Sequence, residues 1–184
     1  MQTWQIALLV VAVCAAAAAA WFFLDTRRSR HLRTHFGPEY DRTLDNIGDR
    51  RKAEAELARR EAQVRNLEIR PLSVTDRDRL QTEWKIVQTH FVDDPVRAVD
   101  EADHLIVDLM QLRGYPTDNP AERIDHISAA YPRVVGKYRE ACEILTAYRA
   151  GHASTEDLRR AMVHYRNLFD ELMGGHHEEL KRAS

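Results

Sequence analysis

A chain of 184 residues is long enough for one modest domain and a shorter accessory segment. A net charge of −2 without a basic stripe argues against a nucleic-acid partner. Two cysteines are too few for a disulfide scaffold and agree with a reducing compartment.

The first element is the most telling. Residues 4–24, WQIALLVVAVCAAAAAAWFFL, carry no charge. At about 1.5 Å per residue such a helix spans roughly 30 Å, the depth of a bilayer's hydrocarbon core. Ile6, Leu8, Leu9, Val10, Val11, Val13, Phe22, Phe23 and Leu24 favour insertion, together by about 3–5 kcal/mol. Trp4 and Trp21 lie towards the ends, where indoles prefer the interface. The sequence thus predicts a single transmembrane anchor within residues 1–24, with the lipid bilayer as partner.

The competing reading is a cleaved secretion signal, with residues 15–20, all alanine, as the cleavage region. The start, Met1-Gln2-Thr3, lacks the positive charge of a signal, and the apolar run continues past the alanines to Leu24. An uncleaved anchor fits better; the secreted or periplasmic form is the alternative. Arg27, Arg28, Arg30 and Arg33 follow the run and no basic residue precedes it. The positive-inside rule then puts the N-terminus outside and the C-terminal body in the cytoplasm. The same arginines are the expected contacts to an anionic membrane surface. Residues 25–70 hold 12 Lys and Arg against 9 Asp and Glu, whereas residues 71–184 hold 15 against 20. The basic part lies beside the expected membrane.

Residues 25–70 read as a basic juxtamembrane segment and a stalk helix. Gly37-Pro38 should interrupt the first helix, with Pro38 opening the next. Phe36, Tyr40, Leu44 and Ile47 form one apolar stripe. It should pack on helices further along; Phe36 and Tyr40 are also the candidate partner-binding residues. Residues 49–70 are rich in helix formers. Ala53, Leu57, Val64 and Leu67 make a heptad-like seam, with Arg60 at its remaining site. Glu61 and Arg65 are spaced for an i,i+4 pair. The seam is short, so a dimeric stalk and a single helix packed on its own domain are both open.

Residues 71–173 read as a compact bundle of four to five helices. Pro71 ends the stalk, and Ser73 with Asp76 offers a helix start. Leu80, Trp84, Val87 and Phe91 share a face. Asp94-Pro95 and Asn119-Pro120 each place an N-cap before a first-turn proline. Gly114 is a C-cap candidate. Tyr131-Pro132 should open the next helix, and Ser154 with Asp157 the last one. Gly174-Gly175 ends it, and residues 174–184 form a polar tail.

Chemistry is sparse. No phosphate loop, dinucleotide fingerprint, nucleophile elbow, zinc-protease or paired-cysteine motif is present. Cys142 within a helical pattern reads as a small core residue. His31 and His35 are spaced to share a helix face, but among arginines; His176, His177, Glu178 and Glu179 lie in the tail. Neither set has the support of a metal site, so no metal or cofactor is expected. Asp100, Glu101, Asp103 and Asp108 read as a solvated helix face. If a ligand pocket existed, Tyr138, Tyr165, His164 and Trp84 would be its polar candidates, although rings with wet tips usually pack.

The stretches RSRHLRTHFGPEYDRTL, FVDDPVRAVDEADHLI, RGYP and STEDLRRAMVHYRNLFDEL resemble those of an uncharacterised family of bacterial proteins. Its members combine an N-terminal membrane segment with a helical soluble part. The resemblance implies that architecture and a bacterial cell membrane location, and no activity or site residues. The expectation is an all-α protein: a single transmembrane helix, a charged stalk, a bundle and a tail. Its expected role is non-catalytic, in binding an unknown protein partner or in self-association through the membrane or stalk helix.

Overall fold

Turn signals divide the chain, and the stretches between them coil into helices. The computed structural model describes Thr3 to Gly175, with the side chains at 3, 5–11, 14, 17, 18 and 175 left undescribed. These residues form eight α-helices and no strand. They fall into two compact units, residues 1–57 and 58–184.

In the first unit, α1 (Thr3–Phe36) runs unbroken through the apolar stretch and the arginines. Gly37 stops it with φ of 53°, and Pro38 opens α2 (Pro38–Ile47). Glu39 and Asp41 sit in the first turn of α2, where the helix dipole favours negative charge. Gly48 closes α2 in the left-handed conformation, its N–H donating to the Leu44 carbonyl at 2.8 Å. The Asp49 carboxylate then accepts from the Lys52 N–H at 2.9 Å and starts α3 (Arg50–Arg65). Leu32, Phe36, Tyr40, Ala53 and Leu57 are the buried apolar residues of this unit.

Among the described residues no helix is long and apolar enough to cross a membrane. They therefore do not support the span expected at residues 4–24, most of whose large aliphatic side chains, at 6 and 8–11, are outside the description.

The second unit is the helical bundle. It contains α4 (Val74–Asp93), α5 (Pro95–Leu112), α6 (Pro120–Ala130), α7 (Val135–Arg149) and α8 (Thr155–Asp170), and a π-helical turn, Glu171–Gly175, extends α8. Four of the five starts use the side chains the sequence marks. Ser73 accepts from the Asp76 N–H, Asp94 from Arg97 and Asn119 from Ala121. Ser154 and Asp157 form a reciprocal capping box. Helix α7 starts later than expected. Residues 132–134 make a turn, because the Tyr131 N–H still bonds the Ile127 carbonyl and thereby caps α6.

The core gathers Leu80, Trp84 and Val87 of α4 with Ile106, Leu109 and Met110 of α5. Tyr138 and Leu145 of α7 and Leu158, Tyr165 and Phe169 of α8 complete its centre. Val64 and Leu67 pack against this core, and Ala53 and Leu57 are buried. These seam residues thus make contacts within the chain. Arg60, the charged seam residue, explains the interruption: its Nη2 lies 3.0 Å from the Asp125 carboxylate of α6. Glu61 and Arg65 do pair, at 2.9 Å.

The stretch between α3 and α4 is fastened to the end of α5. The Arg70 N–H donates to the Arg113 carbonyl at 2.9 Å. Gly114 turns the chain there with φ of 90°, and a Cβ at this position would meet the Glu68 carbonyl oxygen at 2.7 Å. Only glycine fits both demands. Two guanidinium groups hold the far end of α8: Arg113 donates to the Leu172 carbonyl and Arg77 to that of Met173. Cations there satisfy carbonyls that the helix leaves unbonded.

Candidate functional site

The first candidate lies where the apolar run of α1 meets its arginines. Trp21, Phe22, Phe23 and Leu24 are 54–73 % exposed, and Trp4 and Val13 are exposed as well. Large apolar side chains in succession at such exposure mark a surface that seeks an apolar partner. Arg27, Arg28 and Arg30 follow at once, all exposed. They rise only about 5–9 Å beyond Leu24 along the helix, within the thickness of a headgroup layer. Arg27 lies over the Phe23 ring, 4.3 Å from its centroid, in a cation–π contact along the helix. Arg33 is engaged differently. It pairs with Asp41 at 3.6 Å and approaches the Tyr40 ring at 5.9 Å, within the first unit.

Phe36 is fully buried and Tyr40 is 5 % exposed, so the expected partner-binding pair presents no surface to a partner. Tyr40 has another task. Its hydroxyl donates to the Glu54 carboxylate at 2.8 Å. The same oxygen accepts from Ser29 Oγ at 2.6 Å and from Arg50 Nε at 2.8 Å. A buried carboxylate of α3 thereby holds α1 and α2 as well as its own first turn. Burial alone would raise its pKa; the bonds from Arg50, Ser29 and Tyr40 outweigh that and hold the carboxyl below its ordinary value. Sequence reasoning missed this junction. Its only local trace is the i,i+4 spacing of Arg50 and Glu54, which many surface pairs share.

The histidines of α1 do share a face: the His31 and His35 rings stack at 6.0 Å. Among the described residues no cluster of three metal-ligating side chains exists; His176, His177, Glu178 and Glu179 lie outside those residues.

In the bundle the acidic face of α5 is mostly paired. Asp100 bonds Arg149, and Glu101 bonds His90 at 2.7 Å and Arg97 at 2.8 Å. The bond from His90 leads in lowering the Glu101 carboxyl pKa. Asp103 accepts from the Tyr138 hydroxyl at 3.3 Å and lies 3.6 Å from Arg123, while Asp108 is exposed. These contacts tie α5 to α4, α6 and α7.

Of the four pocket candidates, only Tyr138 and Tyr165 are brought into ring contact, and they meet inside the core. Tyr138 and Tyr165 meet edge to face at 5.9 Å, fully buried, and burial pushes both phenols well above the usual tyrosine range. Cys142 Sγ lies 3.8 Å from the Tyr165 hydroxyl, and burial raises its thiol too, which disfavours the reactive thiolate. His164 approaches the Glu140 carboxylate at 3.1 Å. Trp84 stacks on Phe169 at 4.7 Å, with 20° between the rings.

No family model, curated protein or solved structure matches the chain. The resemblance to the bacterial family rests on its sequence words alone, and site roles rest on the geometry above.

Proposed function

We propose that the protein is a single-pass, membrane-anchored helical module that presents its bundle to another protein. The observation that carries the anchor is the junction on α1: exposed Trp21, Phe22, Phe23 and Leu24 followed directly by exposed Arg27, Arg28 and Arg30. This is the order of groups that a bilayer presents, hydrocarbon first and anionic headgroups next. The uncharged sequence from Trp4 to Leu24 supplies the length. Each arginine near an anionic surface contributes about 1 kcal/mol of attraction.

The same residues favour an anchor over a cleaved leader. Cleavage within residues 15–20 would leave Trp21 to Leu24 at the new N-terminus, exposing four large apolar side chains to water. Self-association through the stalk is the weaker reading, since its seam residues make contacts within the chain. The cytoplasmic placement of the bundle follows from the arginines.

Alkaline carbonate extraction of cell membranes tests the anchor. The full chain is expected to stay in the pellet, and a chain beginning at Arg27 to appear in the supernatant. Release of the full chain by carbonate would overturn the reading. In-cell crosslinking tests the module's role: a reproducible second protein is expected, and recovery of this chain alone would refute partner binding.

A further inference from the structure

A groove of about 370 Å³ opens along α4 and α8, within the size range of small-molecule sites. Trp84 and Phe169, stacked at 4.7 Å and only 3–4 % exposed, lie beneath it and contribute the apolar part of its lining. Three cations line it, Arg77, Lys85 and Arg166, against one carboxylate, Asp170. Asp170 lies 3.5 Å from Arg166, and Arg77 donates to the Met173 carbonyl. Lys85 has no acidic partner among the described residues. The groove therefore keeps an excess of positive charge beside an apolar surface.

A second observation points the same way. The indole Nε1 of Trp84 is buried without a hydrogen-bond acceptor. Buried donors are rarely left unpaired, and an orphan in the lining of a groove is a place where an incoming acceptor gains a bond.

We infer that this groove binds a small organic oxyanion with a flat apolar body. Lys85 and Arg166 attract the carboxylate or phosphate head, and the Trp84–Phe169 pair receives the body. The inference is independent of the membrane anchor.

The test uses the full chain in detergent with Trp4 and Trp21 replaced by Phe, so that Trp84 is the single remaining indole of the three. Its emission is followed during titration with phenyl phosphate, benzoate, inorganic phosphate and benzyl alcohol. Phenyl phosphate or benzoate should give a saturable change, and the tighter of the two identifies the preferred head. Inorganic phosphate, lacking the body, should bind more weakly than phenyl phosphate. Lys85→Ala and Arg166→Ala, both at solvent-exposed positions, should each weaken binding about tenfold, equivalent to about 1.4 kcal/mol. Three results would overturn the inference: no saturable response to either aromatic anion, equal affinity in both variants, or equal affinity for neutral benzyl alcohol.

Discussion

One oxygen of Glu54 accepts hydrogen bonds from three helices: Ser29 of α1, Tyr40 of α2 and Arg50 of α3. Removing its charge leaves three donors facing a weaker acceptor. Glu54→Gln is expected to destabilise the first unit by about 1–3 kcal/mol, read by chemical denaturation. The pH dependence has a definite sign. The folded carboxyl titrates below its ordinary value of 4.5, so the unfolded chain takes up the proton first on acidification. The stabilisation is complete above that value and is lost as pH falls through the folded pKa. Denaturation curves across this window should show the loss in the native protein and a smaller one in Glu54→Gln. At Gly114, φ of 90° and the Glu68 oxygen leave no room for a side chain. Gly114→Ala should cost about 1–3 kcal/mol from the backbone conformation alone, and more if the Glu68 carbonyl cannot move. A thermal midpoint equal to that of the native protein would contradict this account of the turn.

Helix ends show what could be read from the sequence and what could not. Ser73, Asp94, Asn119 and Ser154 were legible because capping is a contact over two or three residues. Ser154→Ala removes the hydroxyl that accepts from the Asp157 N–H, leaving only the backbone half of the capping box, and should destabilise α8 by about 1 kcal/mol in denaturant unfolding. The Tyr131-Pro132 start misled because the Tyr131 N–H is claimed by the preceding helix. The seam of α3 was visible as a pattern, but a pattern does not say whose surface covers it. Val64 and Leu67 find the bundle core, and Arg60 finds Asp125 on α6, 65 residues away in sequence. The Glu54 junction was illegible for the same reason: Ser29 and Tyr40 are brought to it by folding, not by spacing. The groove of α4 and α8 depends on two helices far apart in the chain, so neither helix face reveals it alone.

For the whole molecule, the all-α class followed from helix formers between short turns, and the described residues bear it out. The anchor is the larger claim. It rests on the charge-free residues 4–24 and on the exposed aromatic and arginine residues that follow. Arg27, Arg28 and Arg30 should also set the orientation. Replacing all three with Gln is expected to move part of the population to the opposite topology, since the charge difference across residues 4–24 is then much reduced. The most direct measurement of the whole account is a pair of reporters fused after Ser184 in bacterial cells, one active only in the cytoplasm and one only in the periplasm. Activity of the cytoplasmic reporter in the membrane fraction is the predicted result. Activity of the periplasmic reporter would contradict both the orientation and the role assigned to the arginines.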